Sequence, residues 1–352
     1  MSKPVVTDRR FTIEDVVNDV RDRGDAALVE WSQLFDATTS DVPERAVAYG
    51  DIPTAAILAA AESVRTWHAA QRPADLMLEV SPGVTLERRW APLRSVGIYV
   101  PKGLVSSLIM GAVPAQVAGV ERIVVCTPPS GAKAIAAAAA LLGIDEVWAV
   151  GGAQAIAAMA YGTASIAKVD KIIGPGGGAV NAAKLLVSKD VAIDLPAGPS
   201  EIVVAADEGF DEAIIQQELA AQMEHGPDSR AFVVRVGEDL EEALEQIEHY
   251  AAEHVALLGA RAESLAGRIR NAGAVFVGPY APVPAGDYAT GANHVLPTGG
   301  WARSTGGLGL ESFMKTVTVQ RVTKEGLEHL APTIEALADL EGMSAHKATA
   351  RR

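Results

Sequence analysis

Short apolar runs alternate with helical stretches between Ser95 and Leu195, and this alternation limits the possible folds more than any other feature of the chain. A glycine or a proline stands near each strand end, where such a chain turns into the next helix. Repeated strand–helix units of this kind are typical of a parallel, doubly wound sheet. The predicted strands are 96–100, 122–126, 146–150, 170–173 and 191–195, and the predicted helices are 104–118, 132–142, 153–161 and 179–187.

A second set of strand–helix units follows the first. Apolar runs at 202–205, 231–236 and 274–277 are predicted strands, and 211–223 is a predicted helix that Gly226-Pro227 ends. Helices are also predicted at 11–35, 53–71 and 330–340, and a strand at 317–322. The fold class is therefore α/β, with two Rossmann-like parallel-sheet domains, a helical N-terminal layer and a C-terminal tail.

These elements divide the chain into three parts. Residues 1–98 together with 201–308 are expected to form an α/β domain that includes the helical layer. Residues 99–200 are expected to form a Rossmann-like cofactor domain, and 309–352 a C-terminal tail. Two adjacent α/β layers usually leave a cleft, which is a normal place for a substrate and a nucleotide.

Composition narrows the class of protein further. The chain has 352 residues, of which 49% are hydrophobic, and its formal net charge is −14. The acidity argues against nucleic-acid binding and suits a cationic small substrate. A single cysteine excludes an internal disulfide and a multi-thiolate metal site. The longest apolar run, 132–142, is too short to span a membrane, and the N-terminus has no apolar signal core, so we expect a soluble, cytoplasmic protein.

Two glycine turns are candidates for a nucleotide site. The segment 174–179 matches the G-x-G-x-x-A fingerprint between a strand and a helix, and Asp194 lies at the distance expected of an acid that binds the ribose. Pro175 removes one backbone donor from this turn. The second turn, 151–154, has the same strand-to-helix placement. Nucleotide binding is predicted, and the sequence leaves open which turn contacts the ligand.

Gln222 and His225 are three residues apart, so they share one face of a helix at its C-terminal end. An amide oxygen and an imidazole can begin a metal site or hold a polar substrate. The alternative is a helix whose last turn carries a histidine because this suits the helix dipole. On these two residues alone, the structural alternative is favoured.

Further candidate groups have an ordinary explanation each. Glu-His pairs at 224–225, 248–249, 253–254 and 328–329 could divide base chemistry between two groups, but four copies in an acidic chain are expected mostly on solvated helix faces. Cys126 could act as a nucleophile on an aldehyde, but no nearby charge favours the thiolate, and we expect a buried core thiol. The glycine-rich polar loop 286–298 is expected to carry binding residues.

Seven motifs occur together in the order found in the histidinol dehydrogenase family, which the chain resembles from about Val16 to Lys347. They are VGGAQA at 150–155, KIIGPG at 171–176, DLPAGPSE at 194–201, EHGPD at 224–228, GDY at 286–288, NHVLPT at 293–298 and EGMSAHK at 341–347. The resemblance implies oxidation of L-histidinol to L-histidine through the aldehyde in two NAD-dependent steps, with a bound zinc.

The resemblance also implies domain and residue roles, and the α/β domain 1–98 with 201–308 would hold the metal and the substrate. The zinc ligands would be Gln222, His225, Asp287 and His346, which reverses the structural interpretation of the first two. Glu253 and His254 would be the acid–base pair, so no thiol is needed. The substrate would contact Ser200, Gln222, His225, His254, Asp287, Glu341 and His346, and the cofactor would contact Tyr99, Gln154 and Gly177.

The chain departs from the family pattern at several places. Gly177 stands where the family usually has an asparagine, which removes one group that hydrogen-bonds the cofactor. The turn after Val100-Pro101 is shorter than usual, and the chain is abbreviated between Phe35 and Ile57 and between Val236 and Tyr250. These departures concern cofactor affinity and substrate breadth more than the metal site.

Two alternatives to histidinol oxidation remain. One is a family relative that oxidises another small polar alcohol, such as a sulfonated diol. The binding of a sulfonate, however, would call for a cationic residue in place of Glu341. The other is a metal-binding protein without catalysis, against which the intact Glu253-His254 argues. The resemblance further implies an intertwined homodimer in which the C-terminal tail completes the neighbour's site.

Overall fold

Three helices form the N-terminal layer of the computed structural model, which describes residues 11–40, 44–48, 50–195 and 198–351. They are α1 (Ile13–Arg23), α2 (Asp25–Phe35) and α3 (Thr54–Ala69). Thr12 begins α1 with a reciprocal capping box to Asp15. The predicted helical layer is confirmed. The N-terminal segment 1–10 and the motif residues Pro196 and Ala197 lie outside the described residues.

A β-hairpin that the sequence analysis did not predict follows this layer. Its strands are β1 (Leu76–Ser81) and β2 (Val84–Pro92), which pair antiparallel. The partner on the other side of β2 comes from near the C-terminus of the chain, so local sequence patterns give little indication of this sheet.

The first parallel sheet has five strands in the order β5-β4-β3-β6-β7. The chain is laid outward from β3 in one direction and then returns to the other side of β3, so a topological switch point lies between β3 and β6. Ligands bind at such points in doubly wound sheets. The elements are β3 (Ser95–Tyr99), α4 (Val105–Ala118), β4 (Arg122–Cys126), α5 (Pro129–Leu141), β5 (Val147–Trp148), α6 (Gly152–Tyr161), β6 (Lys171–Ile173), α7 (Gly178–Val187) and β7 (Ala192–Ile193).

The second parallel sheet has four strands in the order β11-β10-β8-β9. Strand β8 is fully buried except for its last residue, and β10 is buried along its whole length, so these two form the centre of the sheet. The elements are β8 (Glu201–Asp207), α8 (Glu212–Met223), β9 (Arg230–Val236), α9 (Leu240–Tyr250), β10 (His254–Leu258), α10 (Ala260–Glu263), β11 (Ala274–Val277) and α11 (Val283–Tyr288). The two parallel sheets confirm the predicted fold class.

The C-terminal part consists of β12 (Met314–Val322), α12 (Lys324–Leu340) and α13 (Ser344–Thr349). Strand β12 pairs antiparallel with β2 along its full length. By contacts, the chain divides into one unit of residues up to Gln71 with Leu93–Phe313, and a second unit of Arg72–Pro92 with Met314–Arg352. Both parallel sheets therefore lie in the first unit, and the hairpin groups with the tail because β2 and β12 share a sheet. No helix within the described ranges is long and apolar enough to cross a membrane.

Candidate active site

A cavity of about 570 Å³ in the first unit collects most of the predicted site residues. It lies at the carboxyl ends of β3, β6 and β7, and at the amino ends of β8 and β10. The residues at these strand ends that line the cavity include Pro101, the glycine turn 174–178, Ser200, Glu253 and His254, the first residue of β10. The five-stranded sheet thus contributes the carboxyl ends of its strands to the cavity, and the four-stranded sheet contributes the amino ends of its strands.

The glycine turn 174–178 is shaped by close backbone packing. Gly174 has φ +111°, and a Cβ there would collide with the carbonyl oxygen of Tyr99. A Cβ on Gly176 would collide with Val180, whereas a Cβ on Gly177 would meet nothing. Gly177 precedes α7 and provides no side-chain cap. The N-terminal N–H groups of α7 and its positive dipole end therefore suit an anionic group such as a pyrophosphate.

Asp194, expected to bind a ribose, instead holds the glycine turn. Its Oδ2 accepts a hydrogen bond from the Gly174 N–H at 2.7 Å, and its Oδ1 pairs with Lys184 Nζ. Lys184 Nζ also donates to the Gly174 carbonyl at 3.0 Å. Both side chains are almost fully buried, so this carboxylate is committed to the protein interior.

The second glycine turn is already occupied by side chains of the protein. The Gly151 N–H donates to Asp36 Oδ2 at 2.9 Å, Gln154 Nε2 donates to the same oxygen at 3.1 Å, and the Gly152 N–H donates to the Tyr99 hydroxyl at 3.2 Å. Burial raises the pKa of Asp36, and burial raises the pKa of Tyr99 to about 12. This leaves 174–178 as the turn that faces the cavity.

Tyr99 and Gln154 lie in this buried network rather than on the described cavity wall. Their contact with a cofactor stays a prediction. Asp36 was missed by sequence reasoning, because its partner Gly151 is 115 residues away. The one local signal was an acid placed directly after the last apolar residue of a helix.

Glu253 is a buried carboxyl group at the start of the central strand β10. Ala251, with φ +47°, caps the C-terminal end of α9, and Glu253 and His254 follow shortly after it. Glu253 Oε2 accepts hydrogen bonds from the Ser200 hydroxyl and, at 3.1 Å, from the Glu201 N–H. Burial raises the pKa of Glu253 to about 7, with further contributions from the charges of Asp287 and Glu201.

His254 is a buried, neutral imidazole beside this carboxyl group. Its Nδ1 lies 3.3 Å from Gln222 Oε1, which can only accept, so Nδ1 carries the hydrogen. Burial lowers the pKa of His254 to about 3, and the nearby His225 and His294 lower it further. Its Nε2 has no hydrogen-bond partner among the described residues. This nitrogen is therefore available to accept a proton.

Ser200 connects the site residues of α8 and β10. Its hydroxyl accepts a hydrogen bond from Gln222 Nε2 at 2.8 Å and donates to Glu253. The amide of Gln222 is thereby fixed between Ser200 and His254, with its oxygen toward the imidazole. A substrate contact by Ser200 stays a prediction.

Three of the four predicted zinc ligands lie together in the first unit. Asp211 caps α8 and Gly226, with φ +146°, follows its end, which places Gln222 and His225 on the last turn. His225 Nε2 lies 3.7 Å from Asp287 Oδ2, and burial raises the pKa of Asp287. Two atoms at this separation fit one ion at bond lengths of about 2.0–2.2 Å. Within the described ranges, however, no three His, Cys, Asp or Glu side chains gather to hold a metal, so the set needs the Gln222 oxygen and a further donor.

The remaining predicted residues, Glu341 and His346, belong to the second unit. Glu341 caps the end of α12 and His346 lies on α13, and both side chains are exposed. In the described part of the chain, neither side chain has a hydrogen-bond or ion-pair partner. Their roles stay predictions.

Burial distinguishes the Glu253-His254 pair from the other pairs, since the Glu248 and Glu328 pairs lie mostly on solvated helix surfaces as expected. His294, which sequence reasoning did not assign, donates from Nδ1 to the Asp287 carbonyl at 3.0 Å and supports that loop. Cys126 is fully buried in β4 and burial raises its pKa, which confirms the prediction of a core thiol.

Comparison with known sequences adds independent information. A family model described as "Histidinol dehydrogenase" matches residues 3–239 and 233–352. A histidinol dehydrogenase of Photobacterium profundum is 40% identical over 400 aligned positions, which cover 99% of this chain and 90% of that protein. One of Methanothermobacter thermautotrophicus is 41% identical, with 97% and 92% covered. The 400 positions exceed the 352 residues of this chain, so the first relative has residues where this chain has none.

Comparison with solved structures agrees. A crystal structure of histidinol dehydrogenase from Elizabethkingia anophelis superposes with a TM-score of 0.90 at 34% identity, and covers 99% of this chain and 93% of its own. An acetylating aldehyde dehydrogenase from Geobacillus thermoglucosidasius has a TM-score of 0.51 at 14% identity, with 89% and 91% covered. This second likeness concerns the fold alone.

Proposed function

The chain belongs to the histidinol dehydrogenase family, a family of dehydrogenases, and on this premise we propose that it oxidises L-histidinol to L-histidine through the aldehyde, as a step in histidine biosynthesis. NAD would be the hydride acceptor and zinc the bound metal. The assembly would be a homodimer in which the tail of one subunit supplies Glu341 and His346 to the other.

The observation that carries this proposal is the pair Glu253 and His254. Burial moves the pKa of the carboxyl group up to about 7 and that of the imidazole down to about 3. Two titratable neighbours whose pKa values are displaced in this way are typical of acid–base sites. Both line the same cavity as the open glycine turn.

Each of the two oxidations needs a proton acceptor at a different place. When bound, NAD would accept hydride and zinc would hold the polar atoms of the substrate. In the first oxidation, His254 Nε2 takes the hydroxyl proton, because its other nitrogen is committed to Gln222. In the second, Glu253 removes a proton from the water that hydrates the aldehyde, and Ser200 keeps the carboxylate in place.

The charge of the cleft favours an amino alcohol over a sulfonated diol. Among the described residues that line it, Lys184 is the one lysine or arginine, and it is paired with Asp194. Asp228, Glu253 and Asp287 line the same cavity. A cationic amino group is therefore attracted, while a sulfonate would find no unpaired lysine or arginine among the described lining residues.

The test is NADH formation by the zinc-loaded full chain with L-histidinol, L-histidinal and small diols, including a sulfonated one. We expect NADH with histidinol and histidinal. NADH with the sulfonated diol alone would favour the other substrate class, and no NADH with any alcohol would favour a metal-binding protein without catalysis.

Zinc has its own test. The purified protein should hold about one zinc per chain. His225→Ala should lose both zinc and activity while circular dichroism shows it folded, whereas His329→Ala, on an exposed helix surface, should keep both. Full zinc content in His225→Ala would remove this histidine from the site.

A further inference from the structure

Asp36 presents a half-buried carboxylate at the carboxyl end of the first parallel sheet. Its Oδ2 is held by the Gly151 N–H and by Gln154 Nε2. Its Oδ1 accepts no hydrogen bond among the described residues, and no described lysine or arginine pairs with it. Asp36 is the cap residue directly after α2, and the next residue, Ala37, has φ +52°. The chain therefore changes direction at the point where Asp36 contacts the glycine turn 151–154. One oxygen is therefore fixed and the other is left for a ligand.

The position of Asp36 in the sheet indicates what that ligand is. A dinucleotide lies across the switch point of a doubly wound sheet, with its adenosine over one side and its reactive ring over the other. Glu253 and His254 share their cavity with the loops after β6 and β7, so the reactive ring belongs on that side. Asp36 contacts the loop after β5, which is the opposite side.

Enzymes of this kind that use NAD place a carboxylate on the adenosine ribose 2′-hydroxyl, and those that use NADP place an arginine there. Asp194, which has the expected spacing for this role, is buried in its pair with Lys184. Asp36 is a carboxylate on the adenosine side whose Oδ2 is already held by the glycine turn 151–154.

We propose that Asp36 accepts a hydrogen bond from the 2′-hydroxyl of the adenosine ribose and thereby selects NAD over NADP. This inference rests on the proposed use of a nicotinamide dinucleotide. The 2′-phosphate of NADP is doubly or nearly doubly charged at neutral pH, so an unpaired carboxylate at that position repels it. The network that fixes Oδ2 also includes Gln154, so Asp36 keeps its orientation without a ligand.

The test measures binding rather than turnover. Calorimetric titration of the full chain with ADP-ribose, 2′-phospho-ADP-ribose and 2′-deoxy-ADP-ribose isolates the adenosine half. We expect the wild type to bind ADP-ribose at least about tenfold more tightly than either analogue. Asp36→Asn keeps an acceptor for Gly151 and removes the charge, so its preference over the phosphorylated analogue should fall about tenfold.

The matched control is Asp25→Asn, which removes a carboxylate that accepts a hydrogen bond at the other end of α2. Its binding preference should equal that of the wild type. An unchanged preference in folded Asp36→Asn would overturn the inference and leave the proposed function intact. If the variants fail to fold, the wild type alone decides. Equal affinity for ADP-ribose and its 2′-deoxy analogue would then overturn the role of Asp36. If the wild type binds neither NAD nor ADP-ribose, the proposed function itself fails.

Discussion

Glu253 and His254 are neighbours in the chain, and their pKa values shift in opposite directions. The shift favours the protonated carboxyl group of Glu253 and the unprotonated imidazole of His254, which are the uncharged forms. Burial causes both shifts, because it disfavours whichever form is charged. The hydrogen bonds from Ser200 and Glu201 counteract this effect at Glu253 and keep its pKa near neutrality. A carboxyl group with such a pKa can give and take protons at physiological pH.

Replacing Glu253 should separate the two half-reactions. Glu253→Gln keeps the size of the side chain and removes the base, so oxidation of histidinal should slow by roughly 10²–10⁴ while oxidation of histidinol slows much less. Single-turnover measurements with each substrate give the two rates. Glu328→Gln, which changes an exposed member of another Glu-His pair, should leave both unchanged. An equal loss in both steps would mean that Glu253 has a different role.

The raised pKa of Glu253 also predicts a pH dependence. The form that activates water is the carboxylate, which is the minor form below the pKa of about 7 and the major form above it. The rate of histidinal oxidation should therefore rise as the pH increases through about 7 and then level off. In Glu253→Gln, this rise should disappear from the pH profile. A wild-type rate that is flat between pH 6 and 8 would contradict the prediction.

At the scale of elements, the turn before α7 combines two glycines that the fold requires with one that it does not. Gly174 and Gly176 are enforced by contacts with Tyr99 and Val180, whereas Gly177 has φ −68° and open space beside it. An ordinary side chain fits at position 177 without strain. The asparagine that is usual in the family would therefore fit sterically at position 177.

Gly177→Asn should therefore fold normally and bind NAD more tightly, by about fivefold to tenfold for one regained hydrogen bond. Titration with NAD measures the change. Gly176→Ala is the matched control on the same turn, and its collision with Val180 should weaken both folding and binding. An unchanged or weaker affinity in folded Gly177→Asn would show that the cofactor does not reach this helix terminus.

Local patterns could predict most elements and few of the contacts between them. The alternation after Ser95 predicts the first sheet because each strand–helix unit carries its own apolar pattern and its own turn. The hairpin β1–β2 escapes prediction because β12, its second partner, is more than 200 residues away in the chain. Asp194 and Asp36 show the same limit. Spacing along the chain reveals neither that Lys184 forms an ion pair with Asp194 nor that Asp36 accepts a hydrogen bond from the distant Gly151. The family resemblance assigned residues that are far apart in the chain to one site, and periodicity alone gives no such assignment.

At the scale of the whole molecule, the residues that the family resemblance predicts for the site are found in both units of the chain. The first unit supplies Gln222, His225, Asp287, Glu253 and His254, and the exposed side chains of Glu341 and His346 belong to the second. A two-fold dimer would exchange such tails symmetrically. Such an exchange would have a consequence that mixing of variants can measure.

His254→Asn and His346→Asn should each be inactive as pure dimers. If the tail acts in the neighbouring subunit, a mixed dimer has one site with both residues intact and one with neither. Random pairing after joint unfolding and refolding makes half the dimers mixed, so activity should recover to about a quarter of the wild-type value. Absence of recovery, with mixed dimers shown to be present by tag capture, would place both residues in the same subunit.

The most direct test of the central claim is the number of NADH molecules formed per molecule of L-histidinol consumed by the zinc-loaded wild-type protein. Both oxidations are assigned to one cleft, with His254 serving the first and Glu253 the second. Two NADH per histidinol are therefore expected, with L-histidine as the product and no free aldehyde accumulating. One NADH per histidinol with accumulation of histidinal, or consumption without NADH, would contradict it.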